Sequence, residues 1–180
     1  MKKWLLLLGT LVAFSPIYSQ KYFTKKGRIA FTSDAIFERI EAVTNQVVAV
    51  WDWEAGKFEF SVPIKSFSFK IALMQTHFNE NYLESDLYPK AYFKGEIIDK
   101  TLIEPPNLYR IKIKGDLTIH GVTQDISNET IVEVSPERLK GETSFSIAVA
   151  DYQIEIPWIV REKVAKVVDI VVNIDCEPLN

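Results

Sequence analysis

Tyr109-Arg-Ile-Lys-Ile-Lys-Gly-Asp-Leu-Thr-Ile-His-Gly-Val-Thr123 is the stretch that decides the fold. Its odd positions, Tyr109, Ile111, Ile113, Gly115, Leu117 and Ile119, are apolar or small. Its even positions, Arg110, Lys112, Lys114, Asp116 and Thr118, are polar or charged. Strict period-two alternation followed by a His120-Gly121 turn reads as a long strand entering a second strand. A strand with one apolar and one wet face belongs to an antiparallel sheet wrapped around an apolar interior.

The same pattern spreads outward in both directions. Strands are predicted at 27–33, 41–52, 57–64, 91–98, 122–134, 139–150 and 166–177, with turns at 53–56, 104–107 and 135–138. The 41–52 and 57–64 strands, joined by a short Gly-containing turn, form a hairpin. Val47 to Trp51 is apolar on both faces. Asp34 can cap a helical turn over 34–40. Ile71, Met74, Phe78 and Tyr82 fall three or four apart, flanked by Leu73 and His77, which predicts a helix over 70–82. Pro157 is placed to start a short helix over 158–165. Strands recurring at short, even intervals make an all-β antiparallel barrel or sandwich with one or two short helices.

Gly95, Gly115 and Gly141 share parity with apolar neighbours and so lie on the inward faces of their strands. Such glycines mark sharp bends in a closing sheet, or free interior volume for a guest. A barrel of about eight strands is the size at which either outcome is available.

Lys2 and Lys3, the apolar run Trp4 to Phe14, then Ser15, Pro16 and Ser19 have the order of a secretory signal peptide. Cleavage is expected after Ser19, leaving 20–180 as one domain in the periplasm or outside the cell. Loss of the two lysines shifts the formal charge from −3 to −5. An acidic, unclustered balance excludes a nucleic-acid footprint, and no apolar run of transmembrane length is present. Cys176 is the one cysteine. It continues the parity of Val168, Ile170, Val172 and Ile174, so it is expected to be a buried small hydrophobe.

Ile64-Lys-Ser-Phe67, the helix ending His77-Phe78, Tyr88-Pro-Lys-Ala-Tyr-Phe-Lys-Gly95 and Gly115-Asp-Leu-Thr-Ile-His-Gly-Val-Thr123 occur in that order. Taken together they resemble the YceI family of bacterial exported proteins. The resemblance implies an eight-stranded, lipocalin-like antiparallel barrel that binds a long isoprenoid or other amphiphilic lipid. Where family members carry an arginine-rich stretch after the helical histidine, this chain has the acidic, amide-rich Asn79-Glu-Asn-Tyr-Leu-Glu-Ser85.

No catalytic constellation stands out. Gly-x-Ser-x-Gly, a phosphate-cradling glycine loop and His-Glu-x-x-His are all absent from the sequence. His77 and Glu80 could supply two metal ligands but no third is evident, so no metal is expected. His120 is expected to make a turn contact that fixes its hairpin. The aromatic set is the better candidate. Phe58, Phe60, Phe67, Phe69, Phe93 and Phe145 fall on inward parities, and Leu73, Met74, Phe78 and Tyr82 on the helix stripe. With Ile97, Ile111, Ile113, Leu117, Ile147, Val172 and Ile174 they are expected to contact a lipid tail. Burying apolar surface at about 25 cal/mol per Å² gives roughly micromolar binding for a tail of ten or more carbons.

The reading is therefore a non-catalytic lipid carrier or store, with no cofactor beyond a bound lipid or isoprenoid. The alternative is a solid-core barrel acting through its surface as a structural or stress-related partner. A homodimer is left open.

Overall fold

The computed structural model describes residues 20–34, 39–104, 106–160 and 164–179. The signal-peptide reading lies outside these residues, as do 35–38 and 161–163 of the two short helices expected from the sequence.

Among the described residues, nine strands form one antiparallel sheet: β1 (Lys21–Asp34), β2 (Arg39–Asp52), β3 (Lys57–Pro63), β4 (Ser68–Phe69), β5 (Lys90–Glu104), β6 (Leu108–Ile119), β7 (Val122–Ser135), β8 (Arg138–Ala148) and β9 (Val167–Pro178). The order is β1-β9-β8-β7-β6-β5-β3-β2, and β1 pairs back onto β2, closing an eight-stranded barrel. The two-residue β4 adds to the end of β2 through Ala42–Phe69 and Val43–Ser68. Closure gives each of the eight barrel strands a partner strand on both sides. Asp34, Arg39 and Ile40, expected in a helical turn, are strand residues instead; Asp34 pairs with Arg39 as β1 returns into β2.

The helical stripe forms as predicted in position. Helix α1 (Ala72–His77) runs into a π-helical turn over Phe78–Tyr82. The wider turn lets Phe78 reach three barrel rings: Phe31 at 5.5 Å, Phe67 at 5.7 Å and Phe69 at 5.0 Å between centroids. Trp158–Val160 is a single 3-10 turn.

Two buried clusters divide the barrel. Trp51, Trp53, Ile111, Leu139 and Cys176 belong to one; Val47, Phe67, Leu83, Leu117 and Tyr152 belong to the other, beneath the helix. Cys176 is fully buried. Burial, with Asp175 adding to it, pushes its thiol up to about 12, which leaves it inert as a nucleophile.

The sequence offered two uses for the inward glycines, and the structure separates them. Gly95 and Gly115 face each other across β5 and β6. A Cβ on Gly95 would lie 2.8 Å from the Phe58 ring, and one on Gly115 would lie 2.5 Å from the Gly95 Cα and 2.9 Å from Phe93. These two glycines let strands and rings approach closely and leave no space for a guest. Gly141 differs: its nearest neighbours, on Ile174 and Val132, begin at 3.5 Å, and it borders open interior.

The His120-Gly121 turn is a structural junction. Both residues have positive φ, 51° and 75°. The His120 ring places Nδ1 3.2 Å from the Tyr152 carbonyl oxygen and Nε2 2.8 Å from the Glu84 carboxylate. Tyr88 packs edge-on against it at 4.6 Å. One side chain thus ties the β6–β7 hairpin to the 84–88 loop and to the turn after β8. His120→Ala takes this partner from the Tyr152 carbonyl and removes the Tyr88 ring contact, and is expected to lower stability by about 2 kcal/mol. Chemical denaturation should show the lower midpoint, with ligand uptake by the folded fraction unchanged.

Candidate functional site: an apolar lumen

Between the two clusters, and open at the helix end, lies a cavity of about 510 Å³. That is within the range of small-molecule sites. Its walls come from inward positions of every long strand, which period-two alternation turns to one side.

Trp51, Phe58, Phe60 and Phe93 form an aromatic floor. Trp51 stacks on Phe58 at 4.3 Å, and Phe58 lies 5.4 Å from Phe93. The Trp51 indole N–H is buried with no acceptor on the protein. Leu73, Met74, Phe78 and Tyr82 form the roof beside the opening, where Leu73 is 62% exposed. The roof is pinned by Lys70, which lies 2.8 Å from Glu41 on β2. Lys70 and then Arg39 hold the Glu41 carboxyl below the usual carboxylate range.

Among the described residues, no lysine, arginine or aspartate lines this lumen. Glu142 is on an outward parity of β8 and touches the lumen at its edge. His77 is exposed at the opening. The remaining polar lining is Ser33, Ser61 and a group at the β7–β8 seam, Asn128, Thr130 and Thr143. Such a surface has no lysine or arginine to pair a buried anion and much to gain from covering apolar area.

Most of the residues singled out from the sequence meet here. Phe67, Phe69, Ile113, Leu117, Phe145, Ile147, Val172 and Ile174 line the cavity together with the floor and roof residues. Ile97 and Ile111 do not. Ile111 is fully buried within the lower cluster, and the partly buried Ile97 packs against that cluster. Parity turned both inward, but depth along the barrel placed them below the floor. Sequence reading also missed Ile29 and Phe31 on β1, and Ile119, Val168 and Ile170, all of which line the cavity. Their alternation is visible in the sequence, with Ile29 and Phe31 on the predicted strand 27–33.

Fold and lumen together define a closed antiparallel barrel of the lipocalin-like kind, with a ligand-sized apolar interior. The YceI-like domain model matches residues 21–176, and the chain belongs to that family. A polyisoprenoid-binding domain from Saccharophagus degradans, implicated in plant cell wall breakdown, superposes with a TM-score of 0.74 at 15% identity, covering 88% of this chain and 98% of that one. BcnA of Burkholderia cenocepacia gives a TM-score of 0.68 at 16% identity, covering 83% and 96%. The Campylobacter jejuni YCEI protein gives 0.51 at 16% identity, covering 100% and 99%. At these identities the likeness is one of fold. No curated protein matches the chain in sequence. Among the described residues, no helix is long and apolar enough to cross a membrane.

Proposed function

We propose that this protein binds the long apolar chain of an amphiphilic lipid, isoprenoid-like or fatty-acyl, inside its barrel, and carries or stores it without catalysis. The observation that carries this reading is the lumen: about 510 Å³, walled by aliphatic and aromatic side chains, with no lysine, arginine or aspartate among its described lining residues. The polyisoprenoid binding attributed to the Saccharophagus degradans domain of the same fold supports it. The order of residues in 1–19 supports export to the periplasm or beyond before the lipid is met. The solid-core alternative loses its basis, because the interior is not filled by side chains.

Native mass spectrometry of protein purified from its own cells is expected to show an organic adduct that organic solvent removes. Bare protein mass, together with no uptake of a fluorescent long-chain lipid, would defeat the proposal.

A further inference from the structure

The barrel wall is not uniformly zipped. β6 and β7 pair without a break from Leu108–Glu133 to Ile119–Val122. β8 and β9 pair from Leu139–Cys176 to Ala148–Val167. Between β7 and β8, however, the ladder runs only from Ser135–Arg138 to Ile131–Glu142 and stops there. Both strands continue toward the open end, each held by its other neighbour, with no rung between them.

Side chains take over where the backbone ladder ends. The Thr130 hydroxyl donates to the Glu142 carbonyl. The Asn128 amide donates to Thr143 Oγ1 at 2.7 Å and to the Ser144 carbonyl at 3.0 Å. Further up, the Gln124 amide donates to the Asp151 carbonyl at 2.7 Å, where the chain has left β8. The result is a window in the wall, bounded below by Asn128 and above by Gln124. Ile126, Phe145 and Ile147 face it; each lines the lumen yet stays half-buried.

The lower sill of this window carries the main group of polar side chains in an otherwise apolar lining. Both Asn128 amide hydrogens are used, so Asn128 Oδ1 remains free to accept. Thr130 Oγ1 donates its hydrogen and keeps lone pairs. Thr143 Oγ1 accepts from Asn128 and keeps its own hydrogen to donate. These three side chains offer one donor and two acceptors, all uncharged; Glu142 beside them touches the lumen at its edge, and no lysine or arginine lines it.

We infer that this sill is the head-group subsite of the lipid-binding lumen, and that the head group it takes is neutral and hydrogen-bonding: an alcohol, a carbonyl or a carboxamide. The assignment rests on the lipid-chain reading above and adds where the polar end sits and what it is. A phosphate is disfavoured, since a buried anion needs a paired cation. The window gives the head group access to water from the side while the tail fills the lumen.

The test compares phytol with phytane, which share a branched twenty-carbon skeleton and differ by the hydroxyl and the double bond beside it; phytanol, the saturated alcohol, controls for the double bond. Affinity is read by displacement of a fluorescent naphthylamine probe. Wild-type protein is expected to bind phytol about tenfold more tightly than phytane, as one or two well-made buried hydrogen bonds would give. Thr143→Val keeps side-chain shape and removes the donor; with Asn128→Leu it should bring the phytol-to-phytane affinity ratio from about tenfold down to about one. Equal affinities in the wild type, or equal losses for both ligands, would overturn the subsite while leaving the tail site standing. Failure to bind either ligand would sink the lipid reading and this one together. A phytol analogue with a diazirine at its polar end gives a check that needs no variant. Label within 126–130 or 142–147 supports the sill; label at Ile71–His77 or around Trp51 contradicts it.

Discussion

Gly115→Ala is expected to lower barrel stability by about 3 kcal/mol, near the upper end for an added methyl in a packed interior. The added Cβ would meet the Lys94 carbonyl at less than van der Waals distance, as well as the Gly95 Cα at 2.5 Å. Both obstacles are backbone of the neighbouring strand, so no side-chain rotation relieves them. The strands would have to part at the Gly95–Gly115 pair, and the Phe58 and Phe93 rings resting there would lose their seats. For a domain of this size the expected fall in melting temperature is about 10 °C, measurable by circular dichroism. A change of less than about 2 °C would show that the close approach is not what requires glycine.

Gly141→Leu is expected to act in the opposite sense on the two observables. A Cβ there meets Ile174 and Val132 at ordinary contact distances of 3.5 and 3.6 Å, so the backbone need not move, and a strand interior prefers a side chain to none. The new side chain would project into the lumen that Gly141 borders. Four carbons there exclude about as many methylenes of a bound tail. At about 0.8 kcal/mol per methylene the loss is roughly 3 kcal/mol, or about a hundredfold in dissociation constant. Titration with a fluorescent long-chain lipid, beside a melting curve no lower than wild type, checks both halves. An unchanged affinity would place the tail away from β8.

These two glycines show where reading along the chain stops. Both sit on inward parities of alternating strands, and nothing local distinguishes them. Gly115 meets Gly95 because β5 and β6 pair in one particular register; Gly141 meets open space because its level in the barrel lies opposite the cavity. Ile111 and Ile113 carry the same lesson. They are two residues apart on one face, yet Ile111 is sealed in the lower cluster while Ile113 also borders the lumen. The helix was legible because Ile71, Met74, Phe78 and Tyr82 keep a period that no strand can have. Its π-helical last turn was not, because that turn answers to Phe31, Phe67 and Phe69, which come from three other segments.

The β7–β8 window was invisible for the same reason. Residues 122–130 and 143–148 alternate like any other wall strands, and Asn128 reads as one more polar interruption. That their edges do not meet is a property of two strands each committed to another neighbour.

Alternation and turn chemistry, local along the chain, were enough to determine an antiparallel all-β domain, which face of each strand turns inward, and where the helix falls. The tertiary structure alone decided how deep each inward residue sits, which glycines seat rings and which border space, and where the wall fails to close. Those depend on register, closure and the distances between strands far apart in sequence, and a period of two carries no record of them.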